Sequence, residues 1–232
     1  MFYGFALSRY HTTCSNHCYM KIVRLMLLSG IAVTALAWFS HTKVWKKTLA
    51  LHGPKREISK VPSSNTLEKL GQKADAAKLF VQQKDFNTSV CFLIDMSLPS
   101  GQNRFFIYDL TKDSVLAAGL VAHGNCFEYW LEGRKYSNVV GSGCTSLGRY
   151  RVGASYTGKF GYSYKLHGLD TTNNNAFERT VVLHSHSCVP GSAVKDEICQ
   201  SNGCPTVAPN FLGRLKTIIN GSKKPVLLWI YE

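Results

Sequence analysis

Acidic side chains are scarce in this chain. Its 232 residues hold 14 Asp and Glu against 27 Lys and Arg, a formal net charge of +13. Residues 1–60 carry nine of the basic side chains and a single acid, Glu57. There the charge flanks an apolar stretch, which points to a membrane surface, and no nucleic-acid-binding motif accompanies it. A long apolar run is missing too. The stretch from Leu25 to Phe39 falls short of the roughly 20 residues that a spanning helix needs. No internal repeat occurs, so the fold is not a stack of one repeated unit. Cys14 and Cys18 lack a second pair of ligands, which argues against a zinc site there.

The N-terminal stretch fits the apolar core of a secretory signal, because Lys21 and Arg24 stand just ahead of it. Ala35-Leu36-Ala37 is a small-x-small cleavage pattern, although Trp38 would be a poor first mature residue. Lys43, Lys46 and Lys47 follow closely and blur the orientation that loop charge would set. Residues 1–40 are therefore expected to be a signal peptide or a membrane anchor helix, with Met20 as an alternative start. Residues 41–65, with Pro54 and Pro62, read as a basic linker. Residues 66–232 read as one domain with its core in 88–232. Eight cysteines are present, and in an exported chain some should pair. Cys188 and Cys199 bracket a loop between two reactive side chains, so a bridge there would stiffen it.

Leu67, Leu70, Ala74, Ala77 and Leu79-Phe80-Val81 recur at helical spacing, which predicts an amphipathic helix over 66–86, with Asn65 and Glu68 suited to its start. From Ser89 the period changes. Strands are predicted at 90–94, 104–109, 115–122, 148–153, 162–166, 180–184 and 226–231. A second helix is predicted over 210–220, stopped by Asn220-Gly221. The expectation is a mainly β domain with a few helices, α+β in class, folded as a sandwich or small barrel.

The chemistry concentrates in Val181-Val182-Leu183-His184-Ser185-His186 and Ser201-Asn202-Gly203-Cys204. A thiolate is the reactive form of cysteine, and a nearby imidazole is the usual means of making one near neutral pH. Gly203 lets the backbone turn sharply and aim N–H groups at a reacting carbonyl. Spacing alone leaves a structural cysteine open. His184 and His186 share one face of an extended strand, so either is a candidate base. A metal site of His184, His186 and Cys204 would occupy the nucleophile and lacks a fourth ligand, so no metal is expected.

The motif from Leu183-His184-Ser185 to Ser201-Asn202-Gly203-Cys204 resembles the active site of the YkuD-type L,D-transpeptidases. The branch called the murein L,D-transpeptidase catalytic domain family is the nearer match. Val121-Ala122-His123-Gly124, Cys144 to Tyr150, Gly158 to Leu166 and Cys204-Pro205-Thr206-Val207 are similar to that branch in the same order. The resemblance covers roughly 88–232. It implies that Cys204 is the nucleophile, with His184 as general base and proton donor. It also implies that Gly203 and Cys204 N–H, with Asn202, hold the oxyanion, and that Ser201 shapes the turn. His186, Ser185 and His123 are expected nearby, with His123 also readable as a structural histidine.

Many members of the superfamily carry an arginine two residues past the cysteine; Thr206 stands there instead. Substrate carboxylates must then be met by Arg149, Arg151, Lys159 or Arg179. Tyr162 and Tyr164 would line a donor groove or sit in the core. The implied function is cysteine acyl transfer on peptidoglycan stem peptides, without a cofactor, in the bacterial cell envelope. An L,D-carboxypeptidase or endopeptidase with the same Cys–His site, and a cell-wall-binding module without turnover, remain alternatives. A papain-like peptidase would place its cysteine before its histidine. Nothing in the sequence sets the oligomeric state.

Overall fold

The computed structural model describes residues 64–232. The expected signal or anchor over 1–40, Cys14, Cys18, and nearly all of the 41–65 linker lie outside them. Among the described residues no helix is long and apolar enough to cross a membrane.

Helix α1 (Ser64–Gln83) precedes β1 (Val90–Asp95), β2 (Phe105–Asp109), β3 (Ser114–Gly119), β4 (Val121–Ala122), β5 (Gly148–Gly158), β6 (Gly161–Gly168), β7 (Val182–Ser185) and β8 (Thr206–Val207). Helix α2 (Pro209–Gly221) and β9 (Leu227–Tyr231) complete the domain. All nine strands form one sheet in the order β3-β2-β1-β9-β5-β6-β7-β8-β4. Most pairs are antiparallel; β1–β9 and β7–β8 are parallel. The domain is mostly β with two helices, as expected from the sequence.

The sheet is nearly closed on itself. β3 and β4 lie at opposite ends of the strand order, yet only Leu120 separates them along the chain. This corrects the single strand expected over 115–122: the chain must break at Leu120 to pass from one sheet edge to the other. Arg104 secures the junction from inside. Its N–H donates to Gly119 O at 3.1 Å, and Nε and Nη2 donate to Val121 O at 3.0 and 2.7 Å. Nη1 donates to Leu98 O at 3.0 Å. A fully buried guanidinium is tolerable because each of these donors finds an acceptor.

Two apolar cores flank the β1–β2–β9 part of the sheet. Phe92, Ile94, Phe105, Tyr150, Leu166, Leu183 and Leu228 fill the interior together with Phe211, Leu212 and Leu215 of α2. On the outer face Leu70, Ala74, Ala77 and Val81 of α1 cover Cys91, Leu93, Phe106 and Tyr231. Burial on both faces explains why β1 and β9 read as unbroken apolar runs rather than alternating ones. β8, only two residues long and directly after Pro205, carries too little pattern to be read from sequence.

Among the described residues two disulfides are formed. Cys188–Cys199 spans 11 residues, the pairing weighed from the sequence, and Cys126–Cys144 spans 18. Cys91 and Cys204 are free thiols. Burial in β1 pushes the Cys91 thiol up to about 12, so it is inert.

Candidate active site

The chain reaches Cys204 through a turn held by its own side chains. Ser201 Oγ donates to Cys204 O at 2.7 Å and accepts from Gly203 N–H at 3.2 Å. The segment Gly124–Asn125 braces the start of this turn: Ser201 N–H donates to His123 O, and Asn125 N–H donates to Ser201 O, both at 2.8 Å. Thr145 Oγ1 ties the two sides together, accepting from Gly124 N–H at 2.9 Å and donating to Gly203 O at 3.4 Å. Gly203 has φ +106°, and a Cβ there would lie 2.7 Å from Cys144 O. Only glycine meets both demands.

The turn delivers Cys204 beside β7. β7 and β8 run parallel with His184 opposite Thr206, so Cys204 lies alongside Val182. Val182 N–H donates to Cys204 Sγ at 3.5 Å, and Sγ reaches Thr180 O at 4.0 Å. Burial pushes the half-buried thiol up; the Val182 N–H and then the Arg179 guanidinium pull it back.

His184 is buried at 4% exposure and both its ring nitrogens are occupied. Nδ1 lies 3.1 Å from Ser185 O, which can only accept, so Nδ1 carries the proton. Nε2 lies 2.9 Å from Thr206 Oγ1, and the same hydroxyl is 3.2 Å from Cys204 O. The imidazole expected near the thiol thus has Nε2 on the Thr206 hydroxyl rather than on the sulfur. Phe160, half-exposed between β5 and β6, stacks on the imidazole with ring centres 4.4 Å apart. Burial lowers the His184 pKa, the Ser185 carbonyl counters it, and His186 lowers it further.

The other expected residues separate into two groups. Arg179 stands behind the turn, its Nη2 donating to Cys144 O at 2.5 Å. His186 is exposed and accepts from Cys188 N–H at 3.1 Å through Nδ1, which leaves Nε2 as its protonated nitrogen when neutral. Asn202 is exposed on the turn. His123 is 3% exposed, and its Nδ1 accepts from Arg104 Nη2 at 3.0 Å, which makes it a structural brace behind Ser201. The Gly203 N–H, expected to meet an oxyanion, is engaged by Ser201 Oγ in this state.

Arg149 does not reach this site. It forms an ion pair with Asp170 and lies over the Phe80 ring of α1 at 4.5 Å. Its neighbour Tyr150 points into the core, so alternation along β5 sends Arg149 to the opposite face. Tyr162 and Tyr164 also turn away. They pack edge-on 5.4 Å apart, and Tyr164 Oη donates to Asn220 Oδ1 of α2 at 2.7 Å. Tyr164 pairs with core residue Leu183, whereas Ser163 pairs with His184. The tyrosines therefore lie on the face opposite the imidazole. Lys159 lies in the β5–β6 turn, 5.7 Å over the Phe160 ring that stacks on His184, and Arg151 is exposed. Among the described residues no cluster of three or more metal-ligating side chains occurs.

A free cysteine in a braced glycine turn thus lies beside the strand of a buried histidine of fixed tautomer, on a nearly closed β-sheet. The chain belongs to the L,D-transpeptidase catalytic domain family, whose model matches residues 63–231. Among curated proteins none matches. Solved structures that resemble it include an L,D-transpeptidase from Mycobacterium smegmatis at 12% identity and TM-score 0.39. That match covers 62% of this chain and 59% of the other. An L,D-transpeptidase from Xylanimonas cellulosilytica matches at 17% identity over 62% and 60% of the two chains, with TM-score 0.36. The helical cell shape determining protein Pgp2 from Campylobacter jejuni matches at 15% identity over 70% and 55%, with TM-score 0.43.

Proposed function

We propose that this chain is a cysteine acyltransferase of the bacterial cell envelope that cross-links peptidoglycan stem peptides. The observation that carries the reading is the free, half-buried Cys204 thiol in its glycine turn beside the strand of His184. In this reaction Cys204 Sγ attacks the carbonyl carbon at the L-centre of a diaminoacyl residue. His184 Nε2 takes the thiol proton during this attack and gives it to the departing amine as the C–N bond to the terminal D-amino acid breaks. A side-chain amine of a second stem then attacks the thioester, forming the amide cross-link and restoring the thiol. General acid–base transfer of this kind contributes on the order of 10²–10⁴-fold. For either transfer Nε2 must exchange Thr206 Oγ1 for a reacting group. The Nδ1–Ser185 O bond keeps the tautomer correct meanwhile.

Export is part of the proposal. The two disulfides support it, because such bonds persist in oxidising compartments. The N-terminal apolar stretch would then be the signal or anchor.

A second reading has one observation in its favour. Both imidazole nitrogens are engaged away from the sulfur, as would suit a wall-binding module without turnover. Two experiments separate the readings. Incubation with an acylating β-lactam should leave a covalent adduct on Cys204 that is lost in Cys204→Ala; no adduct on the folded wild type favours the module. Muropeptide products should include cross-linked dimers, whereas trimmed stems alone would make the enzyme a hydrolase. His184→Ala should abolish the adduct at neutral pH while His186→Ala retains most of it, and the reverse ranking would transfer the base role to His186.

A further inference from the structure

The acyl-transfer reading leaves open what favours a thiolate at Cys204, since the imidazole is turned away. Resting on that reading, we infer that Arg179 is a positioning cation for the nucleophile: its fixed guanidinium, rather than His184, favours the ionised form of Cys204 Sγ against the burial that opposes it.

The guanidinium is held by four neutral acceptors on one wall. Nη1 donates to Ser137 O at 2.8 Å and to Ser146 Oγ at 3.0 Å. Nη2 donates to Cys144 O at 2.5 Å and to Ser142 Oγ at 3.2 Å. The Cys126–Cys144 disulfide anchors that wall covalently. Neutral acceptors orient the group without cancelling its charge, and among the described residues no carboxylate forms a salt bridge with it.

The charge is placed where the nucleophile can feel it. Cys144 O is the atom against which Gly203 packs, and Nη2 comes within 3.5 Å of the point where a Gly203 Cβ would stand. Cys204 is the next residue. Arg179 and Cys204 each favour the other's charged form. With every fork position on Nη1 and Nη2 engaged by protein, the group has little left to offer a substrate carboxylate, the role expected of it from the sequence. A guanidinium suits the field role because it stays charged at any working pH. Val182 N–H, which donates to Sγ directly, is the larger of the two favourable influences. Without substrate, the ionising thiol gives its proton to solvent, and the Val182 N–H together with the nearby Arg179 charge favours the thiolate.

The test is the pH dependence of Cys204 alkylation by iodoacetamide, read by mass spectrometry on the Cys204 peptide of the full chain. In this reaction the sulfur displaces iodide, and the rate follows the thiolate fraction. Arg179→Gln should raise the midpoint by about one pH unit, a tenfold loss of thiolate near neutrality. Arg179→Lys, which keeps the charge, should fall between Gln and wild type. His184→Gln should leave the midpoint within a few tenths of a unit. A folded Arg179→Gln that titrates as wild type overturns the inference, as does a His184→Gln midpoint that rises by a unit. Should Arg179→Gln fail to fold, Ser142→Ala with Ser146→Ala, which removes two of the acceptors that fix the guanidinium, carries the test: the midpoint should rise by a few tenths of a unit, and an unchanged midpoint would overturn the inference. Alkylation needs no peptide substrate. A wild type that cross-links nothing would therefore sink the transpeptidase reading and leave this measurement standing.

Discussion

At the residue scale Thr206 stands between the two side chains that matter most. Its single hydroxyl proton has two acceptors to choose from, His184 Nε2 and Cys204 O. With the imidazole neutral, the hydroxyl donates to Nε2. With it protonated, Nε2–H donates and the hydroxyl turns to Cys204 O. Thr206→Val keeps the shape and removes this switch. A buried ring nitrogen left without a partner costs about 1–3 kcal/mol, so urea denaturation should show a loss of that size. Freed from Thr206, His184 should turn toward the thiol, and β-lactam acylation per folded molecule should rise; a fall would mean that the hydroxyl itself serves the reaction.

His184 and Cys204 were legible as a pair because an apolar strand end and a Ser-Asn-Gly-Cys turn both carry local signals. The Thr206 bond was not legible, because it depends on two strands meeting in parallel register. Arg149 and Arg179 show the same limit. Each is an arginine near a predicted strand, and nothing local says that one pairs with Asp170 under α1 while the other braces the catalytic turn.

At the scale of elements the site rests on the segment from Gly124 to Ser146, which has almost no regular structure. Cys126 and Phe127 both have positive φ, 55° and 60°, a conformation that side chains rarely adopt. The Cys126–Cys144 bridge and the Cys126 N–H to Gly143 O bond at 3.1 Å hold the segment against that preference. Replacing both cysteines by serine should cost about 3 kcal/mol, the stabilisation that closing a loop of this length provides. The measurement is the thermal midpoint under non-reducing conditions; an unchanged midpoint would mean that the loop holds its shape by hydrogen bonds alone. Strands β1 and β9 were readable because burial on both faces leaves a continuous apolar run. The break at Leu120 was not, because Val115 to Ala122 is apolar on both sides of it and only sheet closure demands a corner there.

On the scale of the whole molecule, closure of the sheet and placement of the turn share one buried polar group. Arg104 joins the β3–β4 corner and donates to His123 Nδ1, while His123 O receives Ser201 N–H. Burial, and then the Arg104 and Arg134 charges, lower the His123 pKa to about 4. The ring therefore stays neutral in the folded protein, while in the unfolded chain it binds a proton near 6.5. Its contribution is intact above pH 6.5 and declines as pH falls toward 4. The loss amounts to about 3 kcal/mol over that window. Denaturation at pH 4.5 and 7.5 should show this slope in the wild type and a flatter one in His123→Asn; equal slopes would remove His123 as its source.

What the amino-acid order determined alone was local: β-rich elements, two helices, a thiol in a glycine turn and a histidine closing an apolar strand. These follow from periodicity, backbone freedom and side-chain chemistry within a few residues. Tertiary structure alone decided which cation stands behind the thiol, which hydroxyl holds the imidazole, and which cysteine pairs Cys126. Those contacts join segments that are close only because the sheet curls until its two edges meet at Leu120. Their energies depend on burial and register, which no short window of residues contains.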